Sequence, residues 1–230
     1  MMKSYLLGID IGTSACKVAV FDRNGKVLAA ANGDYPVYYP HEGWAEQNPE
    51  EWWDAVCLAT KETIRKADIR PDEIAGIGID GQSWSAIAID KEGKVLTNTP
   101  IWMDTRAQSI CDRLNQEIGA DKIFEVAGNS LQPSYSTAKI LWYKENLPEI
   151  YAKIDKILQS NSYIAYKLTG VISQDVSQGY GLHCFDMKKA CWDEEMCELL
   201  GIPMEFLPEI CDCDHVIGSV TAKAAAKCGL

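Results

Sequence analysis

Gly8-Ile9-Asp10-Ile11-Gly12-Thr13-Ser14 lies between two apolar runs with strand character, residues 5–11 and 17–22. A third such run covers 26–31. The joint Asp22-Arg23-Asn24-Gly25 has Asn-Gly at its centre, the strongest short-range hairpin signal. The chain therefore opens with antiparallel strands. Gly12 permits a tight turn and close approach of the backbone to a ligand. The N–H groups of 12–14 can form an anion-binding concavity, to which Thr13 and Ser14 add hydroxyl donors. Asp10, at the strand end, has the chemistry to hold Mg²⁺ through water, and Lys17 follows three residues beyond the loop. A plain hairpin turn uses the same residue types. This stretch alone supports both readings.

Beyond that hairpin, Asn48-Pro49-Glu50-Glu51 reads as a helix start: an Asn cap, Pro in the first turn, then acids. Trp52, Trp53, Val56, Ala59, Thr63 and Ile64 follow at helical spacing. Residues 74–79 read as a buried strand, and 86–89 with 94–96 as a hairpin. Residues 100–103 read as extended, and 156–158 as a short strand. Helices are expected at 105–118, 139–146, 160–168, 193–200 and 221–228, several ended by Gly or Pro. Hairpins first, then strands alternating with helices, predict a single α/β domain with a mixed sheet flanked by helices.

Composition narrows the function classes. The chain has 230 residues, 47% of them hydrophobic and 24% charged, close to the globular average. The net charge of -11 repels a phosphate backbone, so nucleic acid is not the expected partner. There is neither a long apolar run nor a signal-peptide pattern, which predicts no membrane association. Nine scattered cysteines then read as reduced thiols in a cytoplasmic protein.

Three further segments carry chemistry. Gly76-Ile-Gly78-Ile-Asp-Gly81 has dinucleotide-fingerprint spacing, but its first glycines fall inside a strand and no helix follows. A dinucleotide-binding oxidoreductase is rejected on that ground. Gln82, Ser83, Trp84 and Ser85 then stand at the C-terminal end of that strand, where α/β sheets bind ligands. An indole face with amide and hydroxyl groups suits a sugar; a Trp packed beside a Ser-rich turn is the other reading. Trp102-Met103-Asp104-Thr105-Arg106 adds a carboxylate for sugar hydroxyls and a guanidinium, although Asp104 or Thr105 can equally cap the next helix. Cys211-Asp-Cys213-Asp-His215 has spacing too tight for zinc and reads as a loop. His41 and His183 lack the setting of a hydrolase triad.

Taken together, the segments resemble the FGGY family of carbohydrate kinases, most closely its xylulokinases. GIDIGTSACKVAVFD (8–22) looks like the family's first phosphate motif. GWAEQNPEEWW (43–53) is similar to its W-x-E-Q-x-P-x-x-W-W stretch. GIDGQSWSAIAID (78–90) is similar to its sugar-contact turn, and PIWMDTRA (100–107) to its W-x-D-x-R segment. SYSTAKILWYKEN (134–146) resembles a family signature, departing at Tyr143, where an aliphatic residue is usual. Residues 173–186 resemble its S-D-x-S region. The resemblance implies an actin-like ATPase (ribonuclease H-like) fold and ATP-dependent phosphorylation of a sugar hydroxyl with Mg²⁺, most closely D-xylulose to xylulose 5-phosphate. It implies that Asp10 positions Mg–ATP, with Gly12, Thr13, Ser14 and Lys17 around the phosphates. Gln82, Ser83, Trp84, Trp102, Asp104 and Arg106 would contact the sugar. Ser83-Trp84 replaces the Met-His pair of xylulokinases, which leaves another ketose, a polyol or a sugar acid open.

The family is about twice this long, and its general-base Asp motif does not occur here. That base is expected beyond Leu230, in a C-terminal kinase domain that residues 1–230 do not include; Asp175 aligns with a different motif. The chain is therefore expected to be the N-terminal, sugar-binding half of a kinase, poorly active or inactive alone. A non-catalytic sugar-binding module on the same fold is the alternative. An apolar face left by a missing domain would favour self-association into a homo-oligomer.

Overall fold

The computed structural model describes residues 4–230. The first three strands, β1 (Tyr5–Ile11), β2 (Ala15–Phe21) and β3 (Val27–Asp34), form the expected antiparallel meander. A short β4 (Glu46–Gln47) leads into α1 (Pro49–Ala67), and the chain returns as β5 (Ile74–Gly81), parallel to β1. The resulting mixed sheet has the order β3-β2-β1-β5.

α1 begins where its cap predicts. The Asn48 side chain accepts from the Glu50 N–H, Pro49 needs no donor there, and Arg65 and Lys66 sit in the last turn. The face anticipated from spacing is buried, and α1 packs on β2 and β3. Gly33 makes that approach possible: a Cβ there would stand 2.7 Å from the Ala55 carbonyl oxygen.

The rest of the chain is β6 (Ile87–Ile89), β7 (Thr99–Pro100), α2 (Gln108–Leu114), α3 (Ala120–Ala127), α4 (Ser136–Asn146), α5 (Pro148–Tyr151), β8 (Lys156–Leu158), α6 (Ser160–Thr169), β9 (Ser173–Asp175), α7 (Val176–Gly179), β10 (Phe185–Asp186), β11 (Cys191–Trp192), α8 (Glu194–Leu200), β12 (Glu209–Cys211) and α9 (Ala222–Cys228). β6 pairs with β8 and divides two cores. Ile87 and Ile89 point into the sheet–α1 core; Ala86 and Ala88 point into a second core around Ile123, Ile140 and Tyr143. Among the described residues, no helix is long and apolar enough to cross a membrane.

Three expectations need correction. Residues 94–96 do not form a strand; a single bridge joins Ile89 to Val95. Residues 101–103 turn rather than extend, because the Asp104 N–H closes back onto the Ile101 carbonyl at 3.0 Å. The 105–118 helix begins only at Gln108, since Asp104 captures the Arg106 N–H and holds 104–106 in a turn. It then passes through a π-turn at Asn115–Gly119, where Gly119 takes a φ of 96°, before α3 resumes.

Candidate functional site

β1 and β5 run side by side in register, Asp10 opposite Asp80 and Ile11 opposite Gly81. Their C-terminal ends therefore deliver the 12–14 loop and the 82–85 turn to one edge of the sheet. The Gln82 N–H donates to the Ile11 carbonyl at 2.7 Å, extending the ladder one step beyond the strands.

Gln47 joins the two segments. Its amide donates to the Thr13 carbonyl at 2.8 Å and accepts from Gln82 Nε2 at 2.8 Å. Trp102 reaches the same loop, its indole N–H donating to Thr13 Oγ1 at 3.0 Å. The Tyr35 hydroxyl donates to the Gly12 carbonyl at 2.6 Å. Three side chains thus hold the loop. A Cβ on Gly12 would meet the Ala15 carbonyl oxygen at 2.9 Å. Glycine is required there by close backbone approach. Lys17 Nζ lies 3.5 Å from Asp10 Oδ2, and both remain solvent-accessible.

In the 82–85 turn, Trp84 has a φ of 67°. A bulky residue in the left-handed region costs of order 1–3 kcal/mol and persists only where the surroundings over-determine it. Here they do: Gln159 Oε1 accepts the Trp84 N–H at 2.9 Å, and Lys139 Nζ donates to its carbonyl at 2.7 Å. The Trp84 ring stacks on Tyr135, with centroids 4.3 Å apart and planes at 28°. Tyr180 stands edge-on to Trp84, and His183 to Tyr135. The buried Trp84 Nε1–H finds no partner among the described residues, nor do Gln82 Oε1 and His183 Nε2. Burial draws the His183 imidazole down to about 4, so it is neutral near pH 7.

Asp104 and Arg106 are placed differently. Asp104 is fully buried. It accepts the Ala45 N–H at 2.7 Å and the Arg106 Nε–H at 2.9 Å. Arg106 also pairs with Glu46 at 2.8 Å and lies 3.9 Å above the Trp44 ring centroid. The Asp104 oxygens and the Arg106 Nε and Nη2 groups bond inside the protein, holding 100–107 against 44–46. The structure thus gathers Asp10, the 12–14 loop, Gln82, Ser83, Trp84 and Trp102 at one sheet edge, while Asp104 and Arg106 are buried between 100–107 and 44–46.

Sequence reasoning gave no role to Gln47, Tyr135, Tyr180 or Lys139. Lys139 carried a signal: it is a polar side chain flanked by Ala138 and Ile140, which become buried, whereas Gln47 stands between the half-buried Glu46 and Asn48. Elsewhere, a groove of about 640 Å³ runs along β5 from Ile74 to Ile79, walled by residues 213–220. It contains none of these residues.

The chain matches the model of the N-terminal domain of the FGGY family of carbohydrate kinases over residues 5–230. It belongs to that family. Among FGGY relatives, a xylulose kinase of Bacillus subtilis (strain 168) is 31% identical over 98% of this chain. A glycerol kinase of Thermococcus gammatolerans is 33% identical over 94%. The chain spans about 45% of the length of each. The crystal structure of a gluconate kinase from Lactobacillus acidophilus superposes with a TM-score of 0.91 at 30% identity, covering 98% of this chain and 45% of that one. A xylulose kinase from Rhodospirillum rubrum gives 0.93 at 27%, covering 98% and 46%. The mixed sheet with flanking helices is accordingly the actin-like ATPase fold of the FGGY kinases.

Proposed function

We propose that this FGGY domain binds a sugar or polyol beside Gln82–Trp84 and presents one of its hydroxyls to the γ-phosphoryl group of ATP at the 12–14 loop, as part of a kinase of about twice this length. The observation that carries the reading is the bridge that Gln47 makes between Thr13 and Gln82, with Trp102 bonded to the same Thr13. Phosphoryl transfer depends mainly on positioning and charge stabilisation, and two braced loops on adjacent parallel strands supply the positioning.

The residues fit Mg–ATP. Asp10 and Asp80 put two oxygen-donor side chains next to each other on adjacent strands, the donor type a hard cation takes. Mg–ATP supplies the transferable phosphoryl group and charge neutralisation at the leaving oxygens. Asp10 would hold the hydrated Mg²⁺. The Gly12 N–H is spent on the Ala15 carbonyl at 3.1 Å; the N–H groups and hydroxyls of Thr13 and Ser14, with Lys17, would hold phosphate oxygens. The Trp84–Tyr135 stack gives the sugar ring an apolar wall, while Ser83, Gln82 Oε1 and Trp84 Nε1 offer hydroxyl partners. The group that accepts the hydroxyl proton lies outside residues 1–230 in this proposal.

We place D-xylulose first among substrates, on the xylulose kinase relatives. The glycerol kinases at 33% identity favour a second reading, a small polyol. Isothermal titration of the chain with D-xylulose, glycerol and D-gluconate tests both. Saturable binding of one, abolished by Gln82→Ala, supports the site and selects the class. No heat with any of them, from folded protein, overturns the sugar site.

A further inference from the structure

We propose that Lys139 is a positioning residue for the sugar site: from helix α4 it fixes the three separate segments that carry Trp84, Trp102 and Tyr135. The inference rests on the sugar-site reading of those aromatic residues.

The Lys139 side chain is fully buried. Its ammonium donates to the Trp84 carbonyl at 2.7 Å, the Ile101 carbonyl at 2.9 Å and the Ser134 carbonyl at 2.6 Å. The first belongs to the strained Trp84. The other two belong to the residues immediately before Trp102 and Tyr135. An ammonium has three N–H donors, and all three are used. A neutral amine has two and would leave one carbonyl unpaired. Burial pulls the ammonium down to about 7, with the Asp104 carboxylate opposing that pull.

The rest of the same helix face supports this role. Ser136, Lys139 and Tyr143 are spaced three and four apart and lie on one face of α4. Ser136 Oγ donates to the Ser85 carbonyl at 2.8 Å, and the Tyr143 hydroxyl donates to the Ala86 carbonyl at 2.9 Å. Three consecutive carbonyls, 84 to 86, are therefore each held by a side chain of one helix. Tyr143 supplies the last of them. A buried ammonium is a costly way to fill space, and an apolar side chain would pack as well. What methionine cannot supply is one point that fixes three loops.

The test compares Lys139→Met, Lys139→Arg and wild type. Sugar affinity is read by titration, the Trp84–Tyr135 stack by near-UV circular dichroism, and stability by Tm. Ile140→Val, a buried change on the same helix, serves as the control for lost packing. Lys139→Met is expected to weaken D-xylulose or glycerol binding at least tenfold and to reduce the near-UV signal, while Ile140→Val lowers Tm without either change. Arginine, whose planar fork does not match three converging carbonyls, is expected not to rescue. If Lys139→Met does not fold, Lys139→Gln, which keeps two donors, is expected to show an intermediate loss. A folded Met or Gln variant with lowered Tm but wild-type affinity and near-UV spectrum overturns the proposal. If wild type binds no sugar, the site reading fails, and the near-UV comparison alone still decides whether Lys139 orders the aromatic stack.

Discussion

Removing the Asp104 carboxylate should destabilise the protein far more than it affects sugar contact. Asp104 is fully buried, and the Arg106 side chain beside it is only 4% exposed. In Asp104→Ala the Ala45 N–H and the Arg106 Nε–H lose their acceptor. Breaking a buried pair by deleting one partner costs about 3–5 kcal/mol, because the surviving charge is left uncompensated. Glu46 at 2.8 Å and the Trp44 ring at 3.9 Å continue to hold Arg106. That places the loss at the low end, about 3 kcal/mol. With a urea slope of about 2 kcal/mol/M, the unfolding midpoint falls by about 1.5 M at constant slope. Asp104→Asn keeps one acceptor oxygen and should lose about half as much. The assay is urea unfolding followed by tryptophan fluorescence, paired with sugar titration well below the transition. A variant that unfolds at the wild-type urea concentration yet loses sugar affinity would refute the reasoning and make Asp104 a ligand contact.

Trp84→Phe should leave Tm nearly unchanged, because it removes an N–H that has no partner among the described residues, yet weaken sugar binding about tenfold, the worth of roughly one hydrogen bond; titration and a thermal scan check it. Gly12→Val should lower stability by about 1–3 kcal/mol through collision with the Ala15 carbonyl, whereas Ser14→Ala, on the exposed side of the loop, should fall within about 0.5 kcal/mol of wild type in denaturant melts. His183, drawn down to about 4, binds fewer protons folded than unfolded between pH 6.5 and 4. Stability should therefore fall as pH drops through that window, by up to about 3 kcal/mol. His183→Gln should flatten that part of the stability–pH curve.

The parts of this molecule that were legible in the sequence are those governed by neighbours along the chain. Asn48-Pro49 set the start of α1, and the apolar run 5–11 set β1, because capping and strand character are local. Glycine at 12 could be tied to close approach, but the atom approached, the Ala15 carbonyl, belongs to the structure alone. The segments 82–85 and 102–106 were both legible as polar–aromatic clusters. Which of their side chains reach the sheet edge was not, since nothing local distinguishes Trp102, whose indole reaches the 12–14 loop, from Asp104, two residues on, which is buried under Arg106.

The residues that went without a role share one physical property. Gln47, Lys139 and Gln159 each spend a buried polar side chain on backbone groups of segments 30 to 75 residues away. Such groups cost free energy unless paired, so each marks a place where the fold has a long-range backbone partner to supply. A lysine within the apolar run Ala138-Lys139-Ile140-Leu141-Trp142-Tyr143 is thus readable as a buried cation with acceptors to be found. The identity of those acceptors depends on how α4 meets the loops beyond β5 and β7. That meeting also explains why the site is built from backbone held by side chains. The segment between Gln82 and Ala86 has no regular secondary structure, so the ladder hydrogen bonds that would order a strand are replaced, carbonyl by carbonyl, by donors from Lys139, Ser136 and Tyr143.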